Sequence, residues 1–216
     1  GTDPQSAAII LSHMGADIIG VNCSLGPHEM KPIVKRLVDA SSIPVIVNPN
    51  AGLPHEENGR TVFDVTPEDF AATMSELADL GIQVAGGCCG TTFEHIRQEI
   101  EALKKKPFRA PVPKHHTVVT SFSRAVEIGP RCVVIGERIN PTGKKRFKQA
   151  LRDQDLPYIL QEGLNQEDAG ADILDVNVGL PEIDEPAMME TVIKRLQGVT
   201  GLPLQIDTTD VQALER

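Results

Sequence analysis

Short apolar runs ending in polar residues alternate with amphipathic helical segments along the chain, and this rhythm restricts the fold more than any other feature. "ADIIGVNCS" (16–24), "IPVIVNPNAG" (43–52) and "IQVAGGCCGTT" (82–92) read as buried strands of a parallel sheet. "PHEMKPIVKRLVDAS" places Met30, Ile33, Val34, Leu37 and Val38 at helical spacing. In "TPEDFAATMSELADLG" Thr66 can cap a helix, Pro67 suits its first turn and Gly81 ends it. "FEHIRQEIEALKKK" is a third helix, with basic residues at the end where the dipole favours them.

At "KKKPFRAPVPKHHT" (104–117) the composition turns basic and proline-rich without periodicity, the signature of a semi-rigid linker. The rhythm then resumes. "RCVVIGERIN", "ADILDVNVG" and "LPLQIDTT" read as strands, a helical region reaches Gly170, and "EPAMMETVIKRLQGVTG" is a helix. Strands joined by helices form an open doubly wound sheet or a closed (β/α)8 barrel, and both gather functional residues at the C-terminal strand ends. A complete barrel takes about 250 residues. The expected α/β architecture is therefore two partial TIM-type barrels: the tail of one in residues 1–106, a linker at 107–116, and the head of another in 117–216. The start at Gly1 and the stop inside the helical "DVQALER" suggest a piece of something longer.

Composition narrows the functional classes. The net charge of −9 disfavours a nucleic-acid partner, whose phosphates would be repelled. No apolar run approaches the roughly 20 residues of a membrane span, and no basic-then-apolar leader opens the chain. The four cysteines do not form the framework of a small secreted scaffold, so the expected compartment is the reducing cytoplasm, where thiols stay free or bind metal.

Cys23 and the adjacent pair Cys88–Cys89 all end strands of the first segment. If those strands are in register, three sulfurs converge at one mouth of the sheet. Three thiolates can hold a tetrahedral zinc with its fourth position open, an arrangement suited to activating a substrate thiol. A plain strand would send Cys88 and Cys89 to opposite faces, so Gly86, Gly87 and Gly90 are expected to turn the backbone. Spacing alone also allows three small packed thiols. In the second segment Asn140, Asp175, Asn177 and Asp207 end successive strands, either capping the following helices or lining one polar mouth.

"GADIIGVNCS", "PVIVNPNAGLP" and "GGCCGTT" together resemble the C-terminal part of homocysteine S-methyltransferase barrels over roughly residues 1–106. That resemblance implies zinc on Cys23, Cys88 and Cys89, with the homocysteine thiol in the open position. "VVIGERINPTGKK" with "ADILDVNVG" resembles the opening of the pterin-binding barrel of cobalamin-dependent methyltransferases over roughly residues 117–216. It implies methyltetrahydrofolate near Asn140, Asp175, Asn177 and Asp207. The order of the two modules is that of the cobalamin-dependent methionine synthase family. It implies methyl transfer from methyltetrahydrofolate through cobalamin to homocysteine, with the cobalamin bound outside this chain by a downstream module. Two alternatives stand beside it. One is a zinc-binding fragment without catalysis of its own; the other is a cobalamin-independent thiol methyltransferase of the betaine–homocysteine type.

Other residues receive plainer expectations. Cys132 reads as a packed core thiol, His95 as a surface or capping residue, and His115 and His116 as solvated. The lysines at 104–106 and 144–145 read as solvated helix ends or loops.

Overall fold

A computed structural model describes residues 1–216, which divide into two compact units, Thr2–His115 and His116–Arg216. In the first, α1 (Pro4–His13) leads to β1 (Ile19–Asn22), α2 (Pro27–Ala40) and β2 (Val45–Asn48). A hairpin, β3 (His55–Glu57) and β4 (Arg60–Val62), precedes α3 (Pro67–Leu80), β5 (Val84–Ala85) and α4 (Phe93–Leu103). The sheet order is β1-β2-β5, all parallel, with Asn22 beside Asn48 and Val47 beside Ala85. The three strands therefore end at the same level.

The helices form for the expected reasons. The Asp69 N–H donates to the Thr66 hydroxyl at 3.3 Å, Pro67 opens α3, and Gly81 closes it at φ 108°. Met30, Val34 and Leu37 on α2 and Phe70, Met74 and Leu77 on α3 repeat at three and four residues and are buried with Ile19, Val45 and Val47. Each such side chain contributes about 1.5–3 kcal/mol by leaving water. The hairpin was not anticipated, although "ENGR" carries its signal: Asn58 (φ 51°) and Gly59 (φ 73°) both take the left-handed conformation of a two-residue turn.

Residues 107–115 are held against this first unit. The Gln83 amide donates to the Arg109 carbonyl at 2.9 Å, the Arg109 guanidinium to the Asp79 carbonyl at 2.7 Å, and the Lys114 N–H to the Ser42 hydroxyl at 2.9 Å.

The second unit opens with another unanticipated hairpin, β6 (Thr117–Thr120) and β7 (Ala125–Ile128). There follow β8 (Ile135–Ile139), α5 (Lys145–Arg152), α6 (Leu156–Asp168), β9 (Ile173–Val176), α7 (Glu185–Leu196), β10 (Leu204–Ile206) and α8 (Val211–Glu215). Its sheet is parallel with order β10-β9-β8. All four residues of the central strand β9 are buried, as a strand covered on both faces requires. The helical region before Gly170 is two helices: Gln154 takes φ 53° and the Asp155 carboxylate accepts the Tyr158 N–H to start α6. Cys132 is exposed rather than packed in the core, because β8 begins three residues later, at Ile135.

Both units are thus mixed α/β with parallel three-stranded sheets, and neither sheet closes into a barrel.

Candidate functional site

In the first unit the ends of β1, β2 and β5 build one loop cluster. Directly after β1, Cys23 and Ser24 adopt φ 64° and 66°, a left-handed pair without glycine. The turn is fixed on both sides, with the Cys23 N–H donating to Asn48 O at 2.9 Å and the Leu25 N–H to Cys23 O at 2.8 Å. The segment after β2 runs beside the cysteine pair. The Cys88 N–H donates to Pro49 O at 2.8 Å, the Cys89 N–H to Asn50 Oδ1 at 3.1 Å, and the Ala51 N–H to Cys89 O at 2.9 Å.

Those bonds set the sulfurs. Cys23 Sγ lies 3.6 Å from Cys89 Sγ, Cys88 Sγ lies 3.9 Å from Cys89 Sγ, and all three fall within 4.8 Å of one another. Cys23 and Cys88 are half-buried and Cys89 is exposed, so the group could hold a metal ion with one side open. The Ser24 N–H beside Cys23 lowers its thiol below the ordinary range, helped by Cys89, Cys88 and Asn50. Hydrogen bonds with Cys23 and then Cys88 push the Cys89 thiol up to about 11, because a third negative sulfur beside two others is unfavourable without a cation.

The three glycines act differently from one another. Gly90 has φ 78°, and a Cβ there would overlap the Phe63 ring. Gly86 and Gly87 lack positive φ; they permit close approach to the Asn48 amide and the Thr91 side chain. Thr91 in turn donates its hydroxyl to Cys88 O at 2.7 Å.

In the second unit the strand ends carry acids and amides. Asp175 lies inside β9, only 7% exposed, and accepts from the Gln205 amide at 2.6 Å. Burial raises its carboxyl above the usual range, and the charges of Asp207 and then Glu137 add to this while the Gln205 bond opposes it. Asn177 donates to Asp207 Oδ2 at 3.0 Å and accepts from the Gly179 N–H at 2.9 Å. The structure therefore brings Asp175, Asn177 and Asp207 to one mouth, together with Glu137, which sequence reasoning did not single out. The Asn140 side chain accepts the Thr142 N–H at 2.8 Å within its own turn after β8.

Residues 1–103 match the family model for homocysteine S-methyltransferase, and residues 136–216 match the model for pterin binding enzymes. Over its whole length the chain is 32% identical to a methionine synthase of Mycobacterium leprae and 33% identical to one of Mycobacterium tuberculosis. The chain is thus similar to homocysteine S-methyltransferases in its first half, to pterin binding enzymes in its second, and over its whole length to part of methionine synthases. It spans 18% of the length of each of these two relatives. Among solved structures, the carboxyl transferase domain of Rhizobium etli pyruvate carboxylase with pyruvate aligns over 99% of this chain and 35% of its own. The TM-score of 0.34 at 15% identity is too low to carry an argument.

Within residues 1–103, sequence reasoning named the three cysteines but missed the groups that aim them. Asn50 is buried in the loop of "PVIVNPNAGLP", a stretch that carried the resemblance without assigning Asn50 a role, and that role depends on a neighbour 39 residues away. Gln205, on a strand with no chemical motif, is equally invisible until the register sets it beside Asp175.

Proposed function

We propose that the chain carries two substrate sites of a methyl transfer from methyltetrahydrofolate to homocysteine, giving methionine, as part of a longer protein. The observation that carries this reading is the convergence of three sulfurs from the ends of β1 and β5. Matches to a homocysteine S-methyltransferase model and then a pterin-binding model, in that order along the chain, support it. On this reading residues 1–106 are the tail of one (β/α)8 barrel, 107–116 the connection, and 117–216 the head of a second.

The donor set fits zinc. Tetrahedral zinc with thiolate bonds near 2.3 Å places sulfurs about 3.8 Å apart, and the observed separations are 3.6 and 3.9 Å. Cys23, Cys88 and Cys89 would hold it, and a substrate thiol entering the fourth position would lose its proton. The protein's own contribution is preparation: the bonds from Asn48, Pro49 and Asn50 fix the peptides of all three ligands before any metal arrives.

In the second unit Asp175 and Asp207 would accept from the amino group and ring N–H of a pterin, a pairing that can be bidentate. Asn177 supplies both a donor and an acceptor beside them, and Asn140 stands at the neighbouring strand end. Overall the thiol gives up its proton and gains a methyl group, while the folate nitrogen exchanges a methyl group for a proton. The carrier implied by the family, cobalamin, belongs to a downstream module, and none of this chain's residues is assigned to it. Thiolate ligands suit a reducing compartment such as the cytoplasm.

Zinc per chain tests the reading. The expected result is one zinc in the wild type and a large loss of occupancy in Cys89→Ser. A folded wild-type chain that takes up no zinc would refute it. The open three-stranded sheets favour a second reading for the isolated segment, in which it binds metal without turnover. Methionine formation by the segment supplied with methylcobalamin and homocysteine would rule that out.

A further inference from the structure

His95 on α4 is only 6% exposed, although it lies in a helix first turn where a histidine is ordinarily solvated. Its ring packs edge-on against Phe70 with centroids 5.5 Å apart. Both ring nitrogens are engaged. The Thr92 N–H donates to Nδ1 at 3.2 Å, and the Thr92 hydroxyl lies 2.8 Å from the same atom. Nδ1 must then be the unprotonated nitrogen, so Nε2 carries the hydrogen and donates it to the Val65 carbonyl at 2.9 Å.

Val65 is not an isolated partner. Its N–H donates to Ala51 O, and the Ala51 N–H donates to Cys89 O, each at 2.9 Å. From Cys89 the chain continues through Gly90 and Thr91 to Thr92, which returns to His95. The imidazole thus closes a ring of hydrogen bonds and covalent backbone around the turn that carries Cys88 and Cys89. It ties the exit of the turn to the segment running alongside it.

We infer that His95 is a positioning residue that clasps the cysteine turn and keeps Cys88 and Cys89 set for metal before binding. The inference rests on reading the cysteines as metal ligands. It assigns no titration and no substrate contact to His95; the imidazole acts through Val65 and Ala51. Groups behind metal ligands commonly change affinity by 10–100-fold when removed, and a clasp at this remove should act at the lower end.

The test follows zinc loss to a chromogenic chelator in wild type, His95→Phe, His95→Asn and His95→Gln, with amide exchange of the metal-free proteins measured in parallel. Phenylalanine keeps the packing on Phe70 and loses both bonds. Asparagine can still accept from Thr92 but is too short to reach Val65. Glutamine, the usual partner in a helix capping box, can make both. Expected are metal loss faster by roughly tenfold in H95F and H95N, recovery in H95Q to within about twofold, and faster exchange at Ala51 and Val65 in H95N. If H95F does not fold, H95N carries the same reading with the helix start preserved. Wild-type loss rates in H95N, or unchanged exchange at Ala51 and Val65, would overturn the inference. A wild type that binds no zinc while H95N still loosens those amides would instead refute the metal reading and leave the clasp as a structural device.

Discussion

The two units present their chemistry from the same end of a three-stranded parallel sheet but prepare it in opposite ways. The first places its sulfurs in loops beyond the strands, using left-handed Cys23 and Ser24, a glycine turn at Gly90 and backbone bonds between segments. The second places Asp175 within a strand and aims it through a cross-strand partner, Gln205. The difference follows the donor. Three sulfurs that share one metal must come within about 4 Å of one another, closer than a regular strand pleat allows. Carboxylates and amides facing a flat ligand need only parallel spacing, which the sheet register provides.

Glycine substitutions separate these strategies most sharply. Gly90→Ala forces a Cβ into the Phe63 ring at φ 78° and should destabilise the first unit by about 3–4 kcal/mol. Gly143→Ala, at φ 72° with open space around it, should affect the second unit by only about 1 kcal/mol. Denaturant midpoints measure both, and equal effects would break the contrast.

The second strategy predicts that one carboxylate matters for binding rather than for folding. Asp175→Ala should weaken methyltetrahydrofolate binding by on the order of a hundredfold, about 3 kcal/mol, with a small change in melting temperature. Calorimetric titration showing unchanged affinity would remove Asp175 from the pterin side.

Buried acids sharpen the comparison further. Glu99 on α4 is 2% exposed with no partner for Oε1, whereas Asp175 has Gln205. Desolvation pushes the Glu99 carboxyl up from 4.5 to about 7. The folded state therefore binds this proton more tightly than the unfolded state does. Its contribution to stability is fully present below about pH 4.5 and is lost as pH rises through about 7. Glu99→Gln should be nearly neutral at pH 5 and stabilising by up to about 2–3 kcal/mol at pH 8. A pH-independent effect of the substitution would show that Glu99 finds a partner in solution.

Legibility in the sequence follows the range of the forces. The ends of α3 were readable because Thr66, Pro67 and Gly81 act within their own helix, and the parallel strands were readable from continuous apolar runs such as "DIIGV" and "IPVIV". The hairpin at Asn58–Gly59 is readable from its turn pair, but its polar flanks show no alternating apolar pattern. The left-handed conformation at Cys23 was not readable, since "NCS" contains no residue that demands it. Asn50 and Gln205 are not readable because their partners are distant in sequence; His95 is readable as a cap from Thr92, three residues before it, but not its bond to Val65. The exposure of Cys132 is hidden because the apolar run "CVVIG" starts before its strand does.

The left-handed pair at Cys23 and Ser24 has a consequence for anyone transplanting this centre to another scaffold. Each residue gives up about 1 kcal/mol or more relative to relaxed backbone, so a search that ranks hosts by ideal geometry will reject the very turn that aims the sulfur. Grafting three cysteines onto a relaxed parallel sheet would move the atoms' names without their positions. The transferable unit is the loop from Asn22 to Leu25 together with Asn48 to Ala51 and Cys88 to Thr91, which hold one another in place.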